Sequence, residues 1–544
     1  MTSVARAVLE VFGRAGVETA FGLPGVHNLS FWRDAGEGSP ELMLVRHEQT
    51  AVYAADGLAR STGGLGVALT TTGPGAANAV GAFGEAAASG SPVVLVASEI
   101  STRLARAGVV RGVLHESRDQ AALFEPLAKA VLRPRTADDA VRAVVEAVEV
   151  ALAWPRGPVY VDIPTDVLDE QTGLAPTPRR PERPAPTPGS IARAVAAIEA
   201  AERVVIWAGG GVAQSGAEEQ VAALSELLGA PVVTTFAGRG ALPPGHPWLV
   251  GLPPHEPEVS AYVGAADLML AVGTAFDGPM TRNWSMPRPG SLVSVNASPA
   301  DLVSGYEPDV GVLGDARVVL TELLETLSPR AGHDARLREL SELRDTAWAR
   351  LHEDAAGGPA LAFLDAVGSA VEAADATVVV DMAIPGYWYG GYAPVAGPRR
   401  LQYPIGWGTL GYALPAAVGA ASPRGRPVLA LCGDGGFMYA VGELAVLREQ
   451  ELPVTMLVVD DGGYGMLRYD QDRAGDDHHG VDLLRPDFAA LAASFGIPAV
   501  TLDGPQGLGG ALTEALTSRA PRMVVLRLAL TPPRTTSPRW HDPA

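Results

Sequence analysis

Short runs of apolar residues alternate with longer stretches of helical period, and the alternation comes in three blocks. In the first block LGVALTT, PVVLVAS and GPVYVDIP read as strands, while Glu48 to Arg60 and Ala137 to Ala153 carry apolar residues at helical spacing. Short strands without a polar face, alternating with helices, point to a parallel sheet covered on both sides. Thr172 to Pro188 (TGLAPTPRRPERPAPTP) cannot sustain a helix or a central strand and reads as a linker. The second block opens on the helix IARAVAAIEAA and continues through RVVIWAGGG, PVVTTF, ADLMLAVG and SLVSVNAS. Charged helical sequence from Ala335 to Asp354 then leads to Gly357-Gly358-Pro359, a second boundary. The third block has the strands TVVVD, RPVLALCGDG, PVTMLVVDD and PRMVVLRLAL, and the Pro- and Arg-rich tail after Thr531 is expected to fray. The pattern predicts an α/β fold of three doubly wound parallel-sheet domains, over residues 1–170, 189–330 and 359–531. Their similar sizes hint at an old duplication.

Composition narrows the function. The 544 residues are 47% hydrophobic and 19% charged, which suits a compact multidomain protein. A formal charge of −20 without a basic stripe argues against nucleic acid as a partner. Lys129 is the sole lysine, which disfavours Schiff-base chemistry, and Cys432 the sole cysteine, which excludes an internal disulfide or a multi-cysteine metal site. The first residues read as an amphipathic helix without a signal-peptide core, and runs such as Pro92 to Ala97 are far short of the ~20 residues that cross a membrane. A cytoplasmic protein with no membrane partner is expected.

The chemistry concentrates in the third block. One strand ends at Gly433-Asp434-Gly435-Gly436, and the next ends at Asp460-Asp461-Gly462-Gly463-Tyr464-Gly465. Both carboxylates are thus expected at the carboxyl ends of parallel strands, where open α/β sheets bind ligands. The glycines admit a phosphate, a following helix N-terminus favours an anion, and hard oxygen donors suit Mg²⁺. Either turn alone reads equally well as an Asp-Gly surface turn. The AGGG turn at Ala208 to Gly211 is weak evidence for a nucleotide, since no acidic residue follows at dinucleotide-fold spacing.

With these turns the chain resembles the thiamine-diphosphate enzymes of the 2-oxo-acid decarboxylase and acetolactate synthase superfamily, whose signature is GDG followed about 25–30 residues later by a pair usually written NN. Further pieces match in order: ETAFGLPG (Glu18 to Gly25), RHEQTAVYAADGLAR (Arg46 to Arg60), TTTGPGAAN (Thr70 to Asn78), SGSPVV (Ser89 to Val94), and AGGGVAQSGA with DLMLAVGTAFD in the middle block. The resemblance implies an N-terminal pyrimidine-binding, a central and a C-terminal diphosphate-binding domain. It implies Asp434, Asp461 and the Gly463 carbonyl as Mg²⁺ ligands, with Asp461 standing where the family has Asn. It implies cofactor contacts from Gly25, Glu48, Thr72, Gly73, Asn78, Gly386, Gly408, Leu410, Gly433, Gly435, Gly436, Tyr464, Gly465 and Met466. Glu48 falls on the catalytic glutamate, expected in an apolar pocket against the aminopyrimidine N1′. Leu410 falls on the apolar wedge that bends the cofactor. Ile384-Pro385-Gly386 replaces the polar residues of acetolactate synthases after Asp381. His27 and His115 are candidates for donating a proton to a developing alkoxide and read equally as structural histidines; His478 and His479, in a loop after the cofactor helix, are weaker candidates that read more readily as exposed histidines.

The implied activity is an acetolactate synthase-like carboligase or lyase. It would act on a 2-oxo acid through a C2 ylide and an enamine, with or without a second carbonyl compound as acceptor. Alternatives are simple 2-oxo-acid decarboxylation, cleavage of a 1,2-dione, a nucleotide-binding dehydrogenase, and an inactive regulatory relative. Thiamine diphosphate and Mg²⁺ are expected, and a homodimer or homotetramer. FAD is expected to be absent, because Asn296 and Ser298 interrupt the family's more acidic strand end.

Overall fold

A computed structural model describes residues 1–106, 108–354 and 357–534. Most of the tail after Thr531, expected to fray, lies outside the described residues. Three parallel sheets carry the chain. The first has six strands in the spatial order Glu41–Leu44, Thr19–Gly22, Gly66–Thr70, Val93–Glu99, Val159–Pro164, Ala130–Leu132. The third has six in the order Leu401–Gln402, Thr377–Val380, Val428–Gly433, Val454–Asp460, Arg522–Arg527, Ala499–Leu502. Ranked along the chain, both read 2-1-3-4-6-5, the relation a duplication leaves. The central sheet, Val232–Thr234, Val204–Ala208, Leu268–Val272, Ser291–Asn296, Val310–Leu313, reads 2-1-3-4-5. In each sheet the order reverses between ranks 1 and 3, which opens a crevice at the carboxyl ends of those two strands.

The central strands are buried from end to end, as two-sided coverage by helices requires. The first and third domains share one core: the helices Glu48–Thr62 and Ala413–Ala421 cross so closely that a Cβ on Gly57 would sit 2.1 Å from the Ala416 carbonyl oxygen. Residues 173–187 hold neither helix nor strand. Gly357-Gly358-Pro359 forms the first turn of the helix Gly357–Ala374, since an early proline loses no hydrogen bond there. The helix anticipated after Asp434 is three short pieces, Asp434–Phe437, a 3₁₀ segment Met438–Glu443 and Leu444–Glu449, with a non-helical kink at Ala440. Among the described residues, no helix is long and apolar enough to cross a membrane.

Candidate functional site

Gly433 pairs with Val459 across two neighbouring parallel strands, so Asp434 and Asp461 leave the sheet side by side. Burial first, then the charges of Asp461 and Asp460, push the Asp434 carboxyl up to about 7, against the backbone N–H groups of Gly435 and Gly462. Burial also raises Asp461, opposed by Arg468 and the Gly463 N–H and, more weakly, by Arg485. These two arginines offset the negative charge that Asp461 adds where the family has Asn. Asp461 Oδ1 is buried without a hydrogen-bond partner. Two crowded carboxylates with an unsatisfied oxygen are a donor set that fits a hard divalent cation. The Gly463 carbonyl oxygen faces the same turn, 3.5 Å from where a Cβ on Gly435 would lie. That Cβ would also meet the Tyr464 ring at 2.7 Å, so only glycine lets the two turns approach. Tyr464 Oη lies 3.1 Å from Tyr439 Oη, and Gly465 and Met466 open the helix Gly465–Ala474. Among the described residues no three His, Cys, Asp or Glu side chains cluster as a metal site, so any cation here draws on these two carboxylates and on backbone.

Asp381 ends the neighbouring strand and is fully buried. Its carboxylate accepts from the amides of Met382 (2.9 Å), Gly411 (3.0 Å) and, at longer range, Tyr412 (3.4 Å). It thereby fastens the loop carrying Gly408 and half-buried Leu410 beside the Asp434 turn; the sequence marked Asp381 only as the point after which the family pattern is lost. Gly386 sits in the first helical turn of Ile384–Tyr392, and Ile384 reaches the Asp461 turn, giving this flank an apolar wall in place of polar side chains.

The second cluster lies at the crevice of the first sheet. Glu48 is the first residue of its helix, 8% exposed, and Oε2 accepts from Asn78 Nδ2 at 3.0 Å. Asn28 shapes the preceding turn: Oδ1 accepts from the Gly25 N–H at 2.7 Å and Nδ2 donates to the Leu23 carbonyl at 3.0 Å. Thr72 Oγ1 is spent on Ser98 Oγ at 3.0 Å, and the Gly73 N–H donates to Gln120 Oε1. Gln120, 1% exposed, also donates to the Ser98 carbonyl and Tyr160 Oη. The anchoring roles of Asn28, Gln120 and Asp381 went unread in the sequence, because one polar side chain bonding a nearby turn, or a segment 47 or 30 positions away, leaves no periodic signal. His27 and His115 are neighbours with ring centroids 5.3 Å apart and planes tilted by 31°, and each buries an Nδ1 without a hydrogen-bond partner. Burial, then the neighbouring His115, lowers the His27 pKa, keeping that imidazole neutral. His478 is elsewhere: exposed with His479, it pairs with Asp472 at 2.7 Å.

A cavity of about 640 Å³ opens at the crevice of the central sheet, lined by Gly210, Gly211, Thr274, Asn296, Arg156 and Arg399. Asn296 spends its amide internally, donating to the Thr274 carbonyl (3.0 Å) and accepting from the Ser298 N–H (2.9 Å).

Comparison with known proteins places this geometry. Residues 2–123, 191–323 and 383–526 match the N-terminal TPP binding, central and C-terminal TPP binding domains of thiamine pyrophosphate enzymes. A Pseudomonas aeruginosa protein designated a 2-ketoarginine decarboxylase is 35% identical, over 90% of this chain and 88% of its own. The acetolactate synthase isozyme 3 large subunit of Escherichia coli is 31% identical, over 95% and 92%. The X-ray structure of a Mycobacterium smegmatis protein assigned as a thiamin diphosphate-dependent enzyme has a TM-score of 0.79 at 25% identity, covering 97% of this chain and 99% of that one. With paired thiamine-binding domains and relatives matched along almost its whole length, the chain belongs to the thiamine-diphosphate-dependent acetolactate synthase and decarboxylase superfamily.

Proposed function

We propose that the protein is an acetolactate synthase-like carboligase or lyase that acts on a small 2-oxo acid with thiamine diphosphate and Mg²⁺. The observation that carries this reading is the pairing of Asp434 and Asp461 at adjacent strand ends, with a buried glutamate at the matching crevice of the N-terminal domain. Bound thiamine diphosphate supplies a nucleophilic carbon and an electron sink that a protein side chain cannot provide. Asp434, Asp461 and the Gly463 carbonyl hold the cation, and Gly433, Gly435 and Gly436 keep the diphosphate side open. Glu48, shielded from water and oriented by Asn78, holds a proton at the pyrimidine ring nitrogen. Leu410, whose loop is fixed through Asp381, would give the bound cofactor an apolar support. His27 and His115 are placed for proton transfer to the substrate oxygen.

The active unit in this reading is at least a homodimer, with Glu48 of one subunit facing Asp434 of the other. Exposed apolar side chains rim both half-sites: Val26, Leu29, Val110 and Leu114 around the first, Trp407, Tyr439 and Leu467 around the second. A second copy would cover both rims at once and exclude water from the site. The central cavity holds no stoichiometric flavin in this reading, because Asn296 offers no free carboxylate to a ribose. A cytoplasmic location accords with Cys432, the one thiol, buried and unpaired. The relative designated a 2-ketoarginine decarboxylase supports a second reading, decarboxylation without an acceptor. Incubation with a panel of 2-oxo acids, with and without aldehyde or 2-oxo-acid acceptors, separates the two by product mass. A longer carbon skeleton means carboligation, an aldehyde alone means decarboxylation, and no turnover of any 2-oxo acid overturns both.

A further inference from the structure

The helix that starts at Glu48 is gripped by the C-terminal domain of its own chain. At its N-terminus, Glu443 reaches across the domain boundary, and both its carboxylate oxygens accept from the Arg46 N–H, at 3.2 and 3.1 Å. The His47 N–H and the Thr50 hydroxyl donate to the same carboxylate. Glu443 is 1% exposed. Further along, Tyr53 Oη lies 2.6 Å from Thr409 Oγ1, next to Leu410, and Asp56 accepts from Tyr412 Oη at 2.8 Å. A carboxylate held at a helix N-terminus satisfies donors that the helix leaves open and complements its dipole. His47, the N-cap residue, reaches only the Gln49 N–H with its own ring.

We propose that Glu443 is a positioning residue for Glu48: from the C-terminal domain it caps the helix Glu48–Thr62 and fixes the direction in which Glu48 enters its site. The proposal rests on the reading of Glu48 as the proton-holding group. Glu443 ends the 3₁₀ segment that follows the Asp434 turn. In a dimer with shared sites, this cap therefore ties the glutamate of one site to the metal-binding turn of the other. Burial pushes the Glu443 carboxyl up to about 7, against the pull of these donors, and a glutamine at this position keeps one acceptor oxygen for them.

Glu443→Ala, Glu443→Gln and Thr50→Val separate this role from a general loss of stability. In cofactor-free protein, Glu443→Ala is expected to speed amide exchange at residues 46–51 by about tenfold while the strand Val428–Gly433 keeps its protection. In the loaded enzyme it is expected to lower kcat about tenfold with little change in KM, Glu443→Gln to retain most activity, and Thr50→Val to give a weaker form of the same loss. Placement in mixed dimers gives the sharper readout. A Glu48→Gln chain paired with an Asp434→Ala chain leaves one intact site. Adding Glu443→Ala to the chain that supplies the working Glu48 should lower its rate; adding it to the chain that supplies the working Asp434 should not. Equal losses from both placements, loss only beside the working Asp434, or unchanged exchange at residues 46–51 overturns the proposal. If the reference mixed dimer is inactive despite demonstrated subunit exchange, the shared-site reading fails. The exchange data and the Ala–Gln contrast in homodimers then still decide whether Glu443 positions Glu48.

Discussion

The carboxylate of Asp381 holds the amide of Gly411 at 3.0 Å, binding the end of one strand to a loop thirty positions away that presents Leu410. Burial pushes this carboxyl up to about 6, with the amides of Met382, Tyr412 and Gly411 pulling it down. Asp381→Ala removes the acceptor for buried N–H groups, at a cost of about 1–3 kcal/mol, and releases the loop. The expected outcome is lower kcat and weaker thiamine diphosphate affinity by calorimetry, with Asp381→Asn retaining more of both. Wild-type kinetics in Asp381→Ala would show that the loop does not need this anchor.

Asp434→Ala should abolish retention of cofactor and cation, because it removes one of two side-chain donors. Asp461→Asn keeps an oxygen donor, restores the usual family residue and should be tolerated. Calorimetric titration of thiamine diphosphate with Mg²⁺ checks both. Wild-type affinity in Asp434→Ala would show that the cation lies elsewhere.

Asp162 ends up 1% exposed in the strand Val159–Pro164, its Oδ1 without a hydrogen bond and 3.9 Å from the Arg135 guanidinium, and burial pushes it up to about 7, only partly offset by that arginine. A folded-state pKa raised above the unfolded value favours the fold below about pH 4, and that contribution is lost as pH rises through about 7. Asp162→Asn should flatten this dependence and raise Tm by about 2 °C at pH 8. Thermal melts between pH 5 and 8 test it; a variant that loses stability at pH 8 would reveal a use for the charge.

Purified protein is expected to lack stoichiometric flavin. A yellow preparation with a flavin absorbance band, released on denaturation in a one-to-one ratio, would overturn that expectation and fill the 640 Å³ cavity.

Much of the architecture was legible in the sequence, since a strand buried on both faces is apolar along its whole length. The apolar runs at residues 93–97 and 456–459 show this, and their spacing from helical stretches implies parallel pairing. Glu41–Leu44 and Ala499–Leu502 were not legible: they lie at or near sheet edges, half-exposed, and their mixed residues carry no period. The glycine turns announced Asp434 and Asp461 because a close backbone approach restricts residue type locally. Only the tertiary structure decided that Asp381 anchors Leu410, that Gln120 holds Gly73, and that Glu443 caps the helix of Glu48. Each of these is one hydrogen-bonding side chain acting across tens or hundreds of positions, and such a contact constrains the geometry of two distant segments while leaving no pattern in either.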